Sequence, residues 1–257
     1  MTSSTGLTAP FSAAATKEII DRFYRDGFAL VRGVLSTDEC TALRQLTDEV
    51  AKQSPSFIIR RPEELDLAYA RLFIREPILS LVREILGPNC RFCAENVIRT
   101  VPGQAISHWH VDDFLEHPLP PEVPRWDPRV RLPLIWLSVQ VALSDILDLA
   151  DGPTEIVPGS HLSGRDTPKE NPVFEGRGAE PILCSAGDIY LFNHQLWHRG
   201  SPNTGTRTRY LMQLQYARGD TLAARCKGAN RTPALEHVLA GADPQLVEFM
   251  HKELAFV

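Results

Sequence analysis

The sequence predicts a mainly β fold with flanking helices, closed into a sandwich or barrel, and three observations predict it. From residue 91 onward, short apolar or alternating runs at 91–101, 105–111, 133–143, 154–157, 181–184, 188–193 and 207–217 are separated by Gly, Pro, Asn and Asp. Runs of that length, bounded by turn residues, are the signature of a sandwich or barrel. Few helix-length periodic segments interrupt them, which argues against parallel βαβ units. The 257 residues, 43% hydrophobic and 23% charged, can bury a sizeable core, and all-β barrels of this length run as one domain. We therefore expect a tail over 1–15 and one domain over 16–257. That domain divides into a helical part over 16–90, a β core over 91–217 and an outer helix near 233–253.

In the helical part, Thr16 is a candidate N-cap for a helix over 17–25, whose Ile19, Ile20, Phe23 and Tyr24 fall on one face before Gly27 stops it. Residues 28–32 read as a short strand. Ser36-Thr-Asp-Glu39 is a capping-box pattern that opens a second helix to about Ala51. A third runs over 76–86 and is closed by Gly87-Pro88. Within the β core, residues 114–133 carry six prolines and read as a long irregular loop, a lid beside a site. A polar stretch over 164–178 follows the turn Pro158-Gly-Ser-His161.

Composition excludes several partner classes. A net charge of −5 argues against nucleic acid and anionic membranes. No apolar run approaches the roughly 18 residues needed to span a bilayer. Residues 1–15 are small and polar, without a basic n-region or an apolar h-region, and read as a frayed tail and not a signal peptide. The five cysteines are odd in number and scattered; the single C-x-x-C of Cys90 and Cys93 has no second pair, so buried or incidental thiols and a cytoplasmic location are expected.

Chemistry concentrates in two segments. In Ser107-His-Trp-His-Val-Asp112, strand alternation puts His108, His110 and Asp112 on one face and Trp109 and Val111 on the other. His110 and Asp112 are preferred as a pair, because His-x-Asp can close on one ion from a strand's end. The second segment, 187–216, supplies His194, His198 and, eleven residues after His198, Arg209. His198 is preferred over His194, which lies where its strand ends. Two imidazoles and a carboxylate on one face leave a divalent metal with open positions, the arrangement of non-haem Fe(II) oxygenases. Arg207, Arg209, Leu211, Gln213 and Gln215 share one face of the last strand. If that face is interior, a buried guanidinium needs an anion, and an acidic co-substrate would provide it.

These residues resemble the phytanoyl-CoA dioxygenase family of Fe(II)/2-oxoglutarate-dependent oxygenases, from the helix near Lys17 to about Tyr216. The family's His-x-Asp resembles His110-Val-Asp112. Its N-G-x-x-x-x-x-P-G-S-H segment resembles Asp151-Gly152 through Pro158-Gly159-Ser160-His161, and its distal His and Arg resemble His198 and Arg209. The resemblance implies a double-stranded β-helix, a cupin-like jelly roll with N-terminal helices packed on one sheet. It implies Fe(II) held by His110, Asp112 and His198, with O2 as oxidant and Arg209 on the distal carboxylate of 2-oxoglutarate. Asn96 and Gln140 fall where family members make further co-substrate contacts, although relatives often have Trp at the position of Gln140.

Hydroxylation of an unactivated C–H bond, with release of succinate and CO2, is the default reaction implied; relatives also desaturate, cyclise or epimerise. The carboxylate of Asp112 leaves no vacancy for halide, which disfavours halogenation. Trp109, Asp113, Phe114 and His161, with Trp126, are candidates for the substrate entrance. The mixed lining suits a medium-sized secondary metabolite, and no basic cluster suits the phosphates of CoA. A monomer or homodimer is expected. Two rival readings remain: a cupin using His108, His110 and Glu116, and a metal-free binding protein on the same fold.

Overall fold

In a computed structural model, the chain is described over residues 6–53, 55–112, 114–219 and 232–251. Among these residues, ten strands form two antiparallel sheets. The larger is ordered β1 (Phe28–Val31), β8 (Ile189–Phe192), β5 (Trp136–Ala142), β10 (Arg209–Ala217), β3 (Arg91–Thr100), β2 (Ile58–Arg60). The smaller is ordered β4 (Ile106–His110), β9 (His198–Gly200), β6 (Thr154–Ile156), β7 (Glu180–Pro181). The two sheets face one another as a jelly roll, as expected.

Period-2 alternation decides what each face of the large sheet buries. On β5, Leu137, Val139 and Val141 join the core beneath the helices, while Trp136, Ser138, Gln140 and Ala142 turn toward the smaller sheet. On β8, Ile189 and Leu191 face the helices and Tyr190 and Phe192 face inward. On β10, Tyr210, Met212 and Leu214 face the helices, leaving Arg209, Leu211, Gln213 and Gln215 inside. Each such aliphatic side chain, wholly removed from water, contributes roughly 1.5–3 kcal/mol. The helix side is therefore the apolar anchor of the fold. The inner face is free to carry polar groups.

The helical layer consists of α1 (Ala13–Asp26), α2 (Thr37–Gln53), α3 (Leu67–Ala70) and α4 (Ile78–Leu86). The capping box forms as read: Glu39 N–H donates to Ser36 Oγ at 3.2 Å, and Ser36 N–H to the Glu39 carboxylate at 2.8 Å. The first helix starts earlier than expected. Ser12, not Thr16, is its N-cap, accepting from Ala15 N–H, and Thr16 N–H bonds Ser12 O inside the helix. The expected tail over 1–15 is thus held from Leu7, whose N–H bonds Gly33 O. Residues 1–5 lie outside the described residues.

Gly27 closes α1 at φ 82°, donating to Phe23 O. The expected outer helix is two helices, α5 (Pro233–Leu239) and α6 (Pro244–His251), separated by Gly241 at φ 81° and started again at Pro244. Residues 252 and 253 lie outside the described residues. Cys40, Cys90 and Cys184 are free and buried, as read, but Cys93 is disulfide-bonded, contrary to the expectation of incidental thiols.

Candidate metal centre

The smaller sheet brings the first cluster together. β4 and β9 are antiparallel neighbours in which His110 stands directly opposite His198, a position that puts Cβ atoms about 5 Å apart on one face. Their ring centroids lie 4.1 Å apart. Asp112 follows at the end of β4, where its N–H donates to His194 O at 2.8 Å. Its Oδ1 then sits 3.8 Å from His110 Nε2 and 3.6 Å from His198 Nε2. The three donor groups lie within 4.8 Å of one another, the one such cluster of three among the described residues.

Hydrogen bonds set the tautomers. His110 Nδ1 lies 2.9 Å from His108 O and His198 Nδ1 lies 2.8 Å from Leu196 O. A carbonyl only accepts, so Nδ1 carries the proton in each ring and the Nε2 lone pair is left toward Asp112. This is how metal-ligating imidazoles are oriented by their surroundings. Burial would raise the Asp112 carboxyl, but His198 and His110 overcome that and hold it below its ordinary range. Burial lowers the pKa of His110, with His198 adding repulsion. Burial also opposes the His198 cation, which Asp112 restores and pushes above the ordinary histidine value. Two imidazoles thus converge on a carboxylate that stays ionised, a donor set suited to a divalent first-row metal.

The backbone around His198 is pinned by the Pro-Gly-Ser-His segment. Trp197 N–H donates to Ser160 Oγ at 2.9 Å, and Trp197 O accepts from Val157 N–H at 3.0 Å. His198 cannot swing without breaking both.

His110, Asp112 and His198 line a pocket between the sheets together with Asn96, Gln140 and Arg209. Arg209 opens β10 in register with Thr100 and is only 4% exposed. Its guanidinium donates to Thr100 Oγ1 at 3.1 Å and to Gly152 O, and its Nε has no partner. No carboxylate pairs with it among the described residues. Burial accordingly lowers its pKa. Gly152 is required beside it: at φ 69°, a Cβ there would stand 3.0 Å from the Asn203 backbone and Ser201 O. Asn203 Nδ2 in turn bridges Thr100 O and Arg207 O, fixing the approach to β10. Gln140 donates to Ser138 Oγ at 3.1 Å and leaves its buried Oε1 unpartnered.

Other candidates lie elsewhere. His194 is fully buried, stacked on Trp136 at 4.5 Å, with Nε2 2.8 Å from Glu116. It supports Asp112 through its carbonyl and is no member of the cluster. Glu116 lies beside His194 and outside both the cluster and the pocket lining, so the cupin reading built on His108, His110 and Glu116 lacks its carboxylate there. His161 is buried against α1, with Nε2–H donating to Tyr24 O at 3.1 Å, and burial pushes its pKa down to about 4. It lines a separate cavity with Leu115 and Leu134, not the metal pocket.

Trp109 points to the opposite face of β4, under the Arg199 guanidinium at 4.9 Å, in a groove with residues 169–173. Phe114 is 61% exposed and absent from the metal pocket. Asp113 lies outside the described residues. The proline-rich loop, expected as a lid, lines the separate cavity and contributes no residue to the metal pocket. Its carbonyls at Pro120, Pro121, Val123 and Pro124 accept from Arg165, and Trp126 Nε1 donates to His117 O at 2.9 Å. Sequence reading missed Arg60 on β2, Thr154 and Arg199 among the pocket residues. For Arg199 its place next to His198 was the available signal.

Among known proteins, an uncharacterised protein of Mycobacterium tuberculosis is 34% identical over 67 residues, which is 26% of this chain; the chain spans 23% of that relative's length. HygX from Streptomyces hygroscopicus, crystallised with nickel and 2-oxoglutarate, superimposes with a TM-score of 0.63 at 20% identity, covering 78% of this chain and 86% of HygX. It has also been crystallised with hygromycin B. The epimerase SnoN from nogalamycin biosynthesis, a non-haem α-ketoglutarate-dependent enzyme, superimposes at 0.64 and 20% identity, covering 81% and 85%. A family model described as phytanoyl-CoA dioxygenase matches residues 23–211, most of the chain and the pocket's described lining except Gln213 and Gln215. The chain belongs to the phytanoyl-CoA dioxygenase (PhyH) family.

Proposed function

We propose that this chain is a non-haem Fe(II)/2-oxoglutarate-dependent oxygenase that oxidises an unactivated C–H bond of a small-molecule metabolite, hydroxylation being the default outcome. The observation that carries the reading is Arg209: a guanidinium buried without a counter-ion among the described residues, in the same pocket as two imidazoles and a carboxylate. An uncompensated buried cation costs several kcal/mol. A ligand carboxylate removes that cost and forms charge-assisted bonds with the planar fork.

In this reading, His110 and His198 donate Nε2 to the metal and Asp112 donates Oδ1. Arg209 takes the distal carboxylate of 2-oxoglutarate, while Ile98 and Leu211, between Arg209 and the amides of Asn96 and Gln140, suit its methylene chain. The unpartnered Gln140 Oε1 and the Asn96 amide stand toward the chelating end of the co-substrate. Ferrous iron bound there would supply the oxidising chemistry with 2-oxoglutarate and O2, leaving succinate and CO2. The protein orients the ligands and shields the pocket behind Phe192 and the apolar strands. HygX and SnoN, with 2-oxoglutarate and antibiotic-type molecules in their crystals, support a secondary-metabolite substrate.

The test is succinate formation from 2-oxoglutarate in air. It should require added Fe(II) and disappear in Asp112→Ala. Succinate formed equally by Asp112→Ala would overturn the assignment.

A further inference from the structure

Four strands of the large sheet hold one polar row across the pocket. Arg60 on β2 is in register with Asn96 on β3, Asn96 with Gln213 on β10, and Gln213 with Gln140 on β5. All four side chains line the pocket. The row two residues toward Arg209 is apolar: Ile58, Ile98 and Leu211. Arg60 ends the polar row at the sheet's edge, exposed to the pocket, and makes neither ion pair nor hydrogen bond among the described residues. Arg199, also in the lining, is neutralised by Glu155 at 2.7 Å. Asp112 is the one carboxylate among the described lining residues.

We propose that Arg60 is the substrate-recognition cation, and that the substrate carries one acidic group, a carboxylate or a phosphate or sulfate ester, seated against the Arg60–Asn96–Gln213 row. This rests on the oxygenase reading above and names the substrate class of that same site. Charge balance supports it. With a divalent metal, Asp112, Arg209 and dianionic 2-oxoglutarate in place, the pocket interior is neutral, and among the described lining residues Arg60 alone remains uncompensated. A cationic substrate would meet a guanidinium and four amides with no free acid to pair with, and like charges there are repelled. The amides beside Arg60 supply donors that an oxyanion accepts and a hydrocarbon does not.

The experiment uses the full chain loaded with Ni(II) and saturating 2-oxoglutarate, so that Arg209 is already occupied. Calorimetric titration compares three probes of one shape: 3-phenylpropionate, its neutral amide, and 3-phenylpropylamine. Wild type should bind the carboxylate about tenfold more tightly than the amide, a charge-assisted increment, and should bind the amine weakest. In Arg60→Gln the carboxylate-to-amide ratio should fall to about one, and in Arg60→Lys most of it should return. Equal binding of carboxylate and amide by wild type, or a ratio unchanged in Arg60→Gln, overturns the role of Arg60. Failure of 2-oxoglutarate itself to bind the nickel-loaded wild type overturns instead the oxygenase reading, and the inference with it.

Discussion

Two carboxyls are buried between the large sheet and the helices, and they make a pH prediction with a magnitude. Glu63, in the turn after β2, and Glu95, on the helix-facing side of β3, are each 1% exposed. Neither oxygen of Glu95 nor Oε2 of Glu63 has a hydrogen-bond partner among the described residues. Burial pushes Glu63 up to about 7, and burial together with Glu63 raises Glu95 well above the carboxylate range. Both are therefore protonated in the folded chain at a pH where the unfolded chain has released those protons. Stability is highest below the unfolded value near 4.5 and falls as pH rises to about 7, where Glu63 ionises. At about 1.4 kcal/mol per unit, Glu63 alone forfeits about 3 kcal/mol over that window. Glu95 adds to the loss in the same direction. Glu63→Gln and Glu95→Gln keep shape and remove the titration. Urea denaturation should find Glu63→Gln within about 1 kcal/mol of wild type at pH 5 and more stable by about 3 kcal/mol at pH 8, with Glu95→Gln also more stable than wild type at pH 8. Equal effects at the two pH values, or a loss of stability at pH 8, would refute the argument that these groups fold uncharged.

The remaining predictions concern the site and its frame. Burial holds His161 neutral, with its pKa pushed to about 4 against an unfolded value of 6.5; stability should fall by about 3 kcal/mol as pH drops from 6.5 to 4, and His161→Gln should flatten that slope in thermal melts. Gly187 adopts φ 92°, and a Cβ there would stand 2.2 Å from Leu35 O; Gly187→Ala should cost about 3 kcal/mol in chemical denaturation, because backbone cannot yield as a side-chain tip does. Arg209→Ala should weaken 2-oxoglutarate binding by about 100-fold in calorimetry while nickel affinity stays within severalfold. A parallel loss of both would make Arg209 a structural residue.

Much of the site was legible because its parts sit in local sequence patterns. His110 and Asp112 are two apart on one strand, and the Asp-Gly and Pro-Gly-Ser-His turns announce themselves by residues that turn geometry requires. What the second turn does was less legible: Ser160 braces Trp197, whereas His161 packs against α1, and nothing local distinguishes these outcomes. The helix start failed for a similar reason. Ser12 and Thr16 are equally good caps by residue type, and in the fold Ser12 takes the role while Thr16 lies one turn inside the helix. β2 and β9, at three residues each, are too short to show a period. Arg60 was consequently invisible until the sheet order put it beside Asn96. The proline-rich loop misled by composition: prolines leave carbonyls without adjacent N–H groups, and Arg165 uses them to fasten the loop.

The most direct measurement of the central claim is an anaerobic Fe(II) titration followed by calorimetry across ligand variants. Wild type should bind one ferrous ion per chain. His110→Ala, Asp112→Ala and His198→Ala should each lose at least about 100-fold in affinity, while His194→Ala, if folded by circular dichroism, should keep the ion. Tight stoichiometric iron in Asp112→Ala or His198→Ala, or its loss in a folded His194→Ala alone, would contradict the assignment of the three side chains that meet between β4 and β9.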